Sequence, residues 1–155
     1  MLKFNILNYI LILIVALCLL SLLFLAFMLY ALHYQHDLGS DVLTITWIAF
    51  IKVLLLTVAF TFTKQAIGNF LQQGYFNTKS AQFLTIAGYT MVASSLITLI
   101  LNLTEITYVD RDSLASYSIE VIYDTTVLLM GFALLGVSDI IKKGTAIKLE
   151  NDLTI

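Results

Sequence analysis

Ile10-Leu11-Ile12-Leu13-Ile14-Val15 and Leu19-Leu20-Ser21-Leu22-Leu23-Phe24-Leu25 belong to one apolar run from about Leu7 to Leu32. A helix that crosses the ~30 Å hydrocarbon core of a bilayer needs ~20 such residues. A cleavable signal peptide has an apolar region of only ~7–15 residues, ended by small side chains. This run is longer, and it closes on the bulky Met28-Leu29-Tyr30-Ala31-Leu32. It therefore reads as an uncleaved signal anchor, with a signal peptide as the second reading.

Three further runs follow, at about Leu43–Thr63, Ala81–Leu103 and Ile119–Ile141. Trp47 stands near the start of the second, where interfacial aromatics are common. The expected fold is all-α: an integral membrane four-helix bundle forming a single domain over residues 1–155, with spans 7–32, 43–63, 81–103 and 119–141 and a short tail, 142–155. The second helix is expected to continue past its apolar run. Ile67, Phe70 and Leu71 share one helical face, away from Gln65, Asn69, Gln72 and Gln73. Gly74 suits a left-handed helix terminus, and Asn77 or Thr78 suits the next N-cap.

Composition supports the same class. Sixty per cent of residues are hydrophobic and 12% are charged, against about 45–50% and about 25% in ordinary soluble domains. Four spans leave no room in 155 residues for a soluble catalytic domain. Cys18 is the sole cysteine, which excludes internal disulfides and dithiol redox chemistry. Proline is absent, so no helix carries a proline kink. Abundant Leu, Ile, Thr, Asn and Lys beside a single Arg fits a bacterial source of low GC content.

Basic residues in short loops mark the cytoplasmic side. With both termini cytoplasmic, Lys3, Lys64, Lys79, Lys142, Lys143 and Lys148 all fall inside and Arg111 falls outside. Asp37, Asp41, Glu105, Asp110, Asp112 and Glu120 then join Arg111 on the outer side. The expected location is thus the bacterial cell membrane, multi-pass.

Two charges interrupt the spans. Lys52 and Asp124 each lie inside an apolar run, toward its outer end. An ionised group at mid-bilayer costs at least ~2.5–3.5 kcal/mol, and pairing across spans two and four would lower the cost for both. An intramembrane Lys52/Asp124 pair can be structural, can reach outward to the headgroups, or can serve a proton or ion relay. Span three carries Thr90, Ser94, Thr98 and Asn102 at intervals of four, and span four carries Asp124, Gly131 and Ser138 at intervals of seven. Small and hydroxyl residues in such rows permit close helix contact in lipid, and the same groups can line a ligand groove.

His33 and His36, with Asp37 and Asp41, offer the donor types of a zinc site. They lack a metalloprotease glutamate and sit at the outer interface, so no metal and no cofactor is expected. Paired intramembrane histidines for haem are absent from every span. Phosphate loops, serine nucleophile elbows and cysteine clusters are absent as well, and no enzyme is expected.

The tail Ile147-Lys148-Leu149-Glu150-Asn151-Asp152-Leu153-Thr154-Ile155 is amphipathic. Its alternation fits a strand added to a partner's sheet. Ala146, Leu149 and Leu153 equally fit a helical face. Either form beside Lys142-Lys143 can meet a membrane surface, a protein partner or the chain's own cytoplasmic loop.

Gly74-Tyr75-Phe76-Asn77-Thr78-Lys79, running into Leu84-Thr85-Ile86-Ala87-Gly88, and the terminal Leu149-Glu150-Asn151-Asp152-Leu153-Thr154-Ile155 resemble the two halves of a known pattern. The chain resembles the domain-of-unknown-function family numbered 2975, small four-span bacterial membrane proteins. The family often has Pro where this chain has Tyr75, and a second acidic residue ahead of the Asn, where it has Leu149-Glu150. The resemblance implies a non-enzymatic membrane protein, since the family has no established biochemical activity. Its members are often encoded beside a small helix-turn-helix regulator. A regulatory role is thus implied, with Gly74, Phe76, Asn77, Glu150, Asn151, Asp152, Leu153, Thr154 and Ile155 as the partner-binding residues. Partners expected on this reading are the lipid bilayer, that cytoplasmic regulator and a further copy of the chain as a homo-oligomer, with no direct nucleic-acid contact. The alternative is a small transporter or toxin-immunity membrane protein that works through Lys52 and Asp124.

Overall fold

The computed structural model describes residues 2–34, 40–74, 76–105 and 114–153. Four α-helices follow in chain order: α1 (Leu2–Tyr34), α2 (Ser40–Gln73), α3 (Thr78–Glu105) and α4 (Leu114–Leu153). No strand occurs among the described residues. Each helix holds a segment long and apolar enough to cross a membrane: Ile6–His33, Val42–Gln72, Thr78–Leu101 and Tyr117–Asn151.

The helices outrun the apolar stretches read from sequence. Backbone hydrogen bonding does not stop where side-chain polarity changes, so α2 continues through Gln73 and α4 through Leu153. The α2 terminus is chemical. Gly74 has φ +84°, a conformation that costs a side-chain-bearing residue but not glycine, and its N–H donates to the Phe70 carbonyl at 3.2 Å. The start of α3 is equally specific. Asn77 Oδ1 accepts the Lys79 N–H at 2.9 Å, and this satisfies one of the unpaired donors at the helix N-terminus.

Close backbone packing runs serially: α1 on α2, α2 on α3, α3 on α4. On α3 the buried residues are Ser80, Ala81, Leu84, Ala87, Gly88, Met91, Ser94, Ser95 and Thr98. On α4 they include Asp124, Val127, Ser138 and Ile141, with Gly131 between them. Steps of three and four place each set on one seam. Small residues let the two backbones meet. A Cβ added at Gly88 would lie 2.9 Å from the Gly131 carbonyl oxygen, and one at Gly131 would lie 3.0 Å from that of Gly88. Lower on the seam, Ser138 Oγ donates to the Ala81 carbonyl at 2.7 Å and lies 2.7 Å from Thr85 Oγ1.

Two apolar clusters join α2 to this pair. One contains Leu56, Ala59, Met91 and Val127, with Phe60 and Leu134 against it. The other contains Ala66, Ala81, Leu84 and Ile141, backed by Phe70 and Phe83. In contrast, α1 buries Leu11 while Leu13, Leu20, Leu23, Phe24 and Phe27 are all more than 60% exposed. A helix that is apolar on every side yet uncovered is suited to lipid rather than to water.

Candidate functional site

Two regions hold the residues singled out from sequence, one at each end of the helices. The first is where α4 outlasts its apolar stretch. Lys142 to Leu153 continues α4 without a break, which resolves the strand-or-helix choice for those residues in favour of helix. Positions 146, 149 and 153 therefore share a side by register, and Ile147 lies about 100° away. Ile147 and Leu149 are both exposed, as are Glu150 and Asn151. Asp152 and Leu153 are helical in backbone, while Thr154 and Ile155 lie outside the described residues.

The α2–α3 connector meets this extension. The Phe76 ring lies over Gly144, where its Cδ1, Cε1 and Cζ occupy the place a Cβ would take. Phe76 still leaves half its surface open. Gly74 and Asn77 have local work, as the α2 terminus and the α3 cap respectively. The connector and tail thus meet in one surface that carries Phe76 and, on the Gly144 side by register, Ile147, while Leu149 projects about 140° away from Gly144. Sequence reading did not single out Gly144. Its signal was a glycine directly after Lys142-Lys143, inside what proved an unbroken helix.

The second region lies in the opposite half. Lys52 Nζ stands 2.5 Å from Asp124 Oδ1. Asp124 heads the α4 seam and is fully buried, and Lys52 enters from α2 with its side chain 17% exposed. The Lys52 ammonium also sits 5.0 Å from the Tyr123 ring centroid, within cation–π range. The contact is an ion pair by distance, yet neither Asp124 oxygen accepts a hydrogen bond of good geometry among the described residues. The pair borders a cavity of about 200 Å³ that is also lined by Thr98 and Glu120. Thr98 Oγ1 spends its one proton on the Ser94 and Ser95 carbonyls, at 3.2 and 3.1 Å, which leaves its lone pairs unspent.

Of the span-three row, Ser94 and Thr98 are buried. Thr90 is half-buried and folds its hydroxyl back onto the Ile86 and Ala87 carbonyls. Asp124, Gly131 and Ser138 are buried together. Among the described residues, no three His, Cys, Asp or Glu side chains converge as a metal site. His36 and Asp37 lie outside the described residues.

No family model matches the chain, and neither does any curated protein or solved structure.

Proposed function

We propose that this is a multi-pass bacterial cell-membrane protein with both termini in the cytoplasm. It acts without catalysis, by presenting its connector and the α4 extension to a cytoplasmic protein. The joining of Phe76 to Gly144 carries this reading. It brings together two segments far apart in sequence: the connector, which carries one half of the family resemblance, and the part of α4 that leads into the other half, Leu149–Ile155.

Length supports it. The 40 residues of α4 extend about 60 Å at the helical rise, twice the ~30 Å of hydrocarbon available to them. The surplus begins where Lys142 and Lys143 mark the inner interface, as Lys64 does on α2. At that line Ala66, Ala81, Leu84 and Ile141 pack the three helices together. The surface therefore has a firm base. A tenfold change in partner affinity needs only ~1.4 kcal/mol of coupling from the bundle to this base. The partner that the resemblance favours is a small helix-turn-helix regulator.

Membrane-embedded full-length chain and a variant ending at Thr145 are compared for capture of the regulator encoded by the adjacent reading frame. Loss of capture with the shortened chain is the expected outcome. Equal recovery by both defeats the docking role. Reporter fusions at the C-terminus test orientation, and a periplasmic signal overturns the topology.

A further inference from the structure

We propose that a groove on α2 around Lys64 binds a phosphate group, held there as the headgroup of an anionic phospholipid. The inference needs only that α1 and α2 cross the bilayer, and it does not rest on the docking surface.

The groove exists because packing is serial. Both α1 and α3 pack on α2, and no close backbone contact joins them to each other among the described residues. Near Lys64 the space between them is about 530 Å³. Asn8 of α1 stands in one wall and Phe83 of α3 in another. The Phe83 ring is seated on Phe62, with 5.8 Å between centroids. The floor is the polar face of α2. Gln65, Asn69 and Gln72 recur at steps of four and three, on the side away from the buried Ile67. Gly68 lies among them, and a Cβ there would meet nothing within 4 Å. A glycine inside a helix is costly relative to alanine. No neighbour requires this one, and its missing side chain leaves the floor open.

The lining selects an anion. Lys64 is its single charged residue, and it has no ion-pair partner among the described residues. The amides of Asn8, Gln65, Asn69 and Gln72 likewise make no side-chain hydrogen bond among those residues. At Asn8 the covered, unmet atom is Oδ1, so the accessible part of the amide is the N–H donor, Nδ2. One ammonium and uncommitted amide donors, with no carboxylate in the wall, suit a charged acceptor. Depth then names the anion. Lys64 directly follows the apolar run 43–63, and Asn8 stands at the start of the run 7–32. The groove therefore lies at headgroup level, where lipid phosphate is concentrated. Basic pockets between helices at this level take acidic headgroups. An apolar cavity of about 150 Å³ holds benzene, so the groove has room for phosphoglycerol and the first carbons of its chains. Beside it, α1 offers Leu13, Leu20 and Leu23, all more than 60% exposed, as a surface for acyl chains.

Full-length chain in a non-ionic detergent is titrated with dioctanoyl phosphatidylglycerol, and retained lipid is measured by native mass spectrometry. Dioctanoyl phosphatidylcholine and glycerol 3-phosphate are titrated alongside. Phosphatidylglycerol is expected to bind at least about tenfold tighter than either. Lys64→Gln is expected to weaken it by about tenfold to a hundredfold, the effect of losing a charged hydrogen bond, and Lys64→Arg to retain it. Gly68→Leu fills the floor without changing charge and is expected to weaken it by at least about tenfold. Lys142→Gln, on α4, is the control and is expected to leave it unchanged. Circular dichroism checks that each variant keeps its helices. Equal affinity for phosphatidylglycerol and phosphatidylcholine overturns the proposal. So does an equal loss in Lys64→Gln and Lys142→Gln, which would mean general attraction to a basic surface. Phosphatidylglycerol binding that survives both Lys64→Gln and Gly68→Leu overturns it as well. Glycerol 3-phosphate binding as tightly as the lipid overturns the lipid source and assigns the groove to a free phosphate.

Discussion

The Phe76 ring fills the space that any side chain at position 144 would need. A glycine inside a helix ordinarily costs about 0.5–1 kcal/mol relative to alanine. Here its bare backbone receives an aromatic ring from the connector between α2 and α3. The contact seats the connector on α4 just past Lys142-Lys143 and holds the half-open Phe76 on the side of the helix that Ile147 shares by register.

Gly144→Ala is expected to expel the ring without unfolding the chain. Phe76 is half exposed and can swing outward, while alanine gains helix propensity of up to about 1 kcal/mol. Thermal stability in detergent should therefore change little, whereas a fluorine label on Phe76 alone should shift strongly and capture of the proposed cytoplasmic partner should fall. Gly136→Ala is the control, because a Cβ there meets nothing within 4 Å. An unmoved fluorine signal in Gly144→Ala would show that the ring does not rest on the helix.

The α3–α4 crossing should be far less tolerant. A Cβ at Gly131 lies 2.8 Å from Val92 Cγ2 and 3.1 Å from the Val92 backbone nitrogen. Backbone cannot step aside as a side-chain tip can. Gly131→Ala is expected to cost about 1–3 kcal/mol, the usual range for overpacking, and Gly88→Ala a similar amount. Gly68→Ala should be nearly neutral, since its Cβ has open space. Denaturant titration in mixed micelles measures all three.

Gly74→Ala should destabilise through backbone strain alone. Its φ of +84° disfavours a Cβ, and no neighbour lies within 4 Å to clash with one. The expected cost is about 1 kcal/mol. Gly74→Asn should cost less, because asparagine tolerates the left-handed region best among side-chain-bearing residues. Equal losses for Ala and Asn would point to a role other than the turn.

The four helices were legible because each apolar run is long, and length separates a span from a buried core helix. Gly74 and Asn77 were legible because turn and cap chemistry is local. So was the seam of Asp124, Gly131 and Ser138, whose sevenfold spacing is a property of one helix. What stayed hidden depends on two helices at once. Nothing near Gly144 in sequence announces Phe76, and nothing near Gly88 announces Gly131. The tail was ambiguous for another reason. A short stretch mixing Ile147, Leu149 and Leu153 fits both periods, and continuity with the strongly helical α4 decides what local pattern cannot.

Lys52 and Asp124 invite a double-mutant cycle, because the two readings of the pair diverge in it. Removing either charge leaves the other buried without a partner, at a typical cost of about 3–5 kcal/mol. The loss should be near the lower figure for Asp124→Leu, since the 17% exposed Lys52 can turn outward and recover hydration. Lys52→Met should cost more, because Asp124 is fully buried and has no outward route. The double variant Lys52→Met/Asp124→Leu should regain most of the stability, as apolar replacements of buried ion pairs commonly do. The charge-exchanged variant Lys52→Asp/Asp124→Lys should recover part of it. Thermal midpoints in detergent give the coupling. A double variant that is stable and still captures the proposed cytoplasmic partner makes the pair structural with respect to the proposed docking. One that is stable but no longer captures it ties this end of the bundle to the surface at the other.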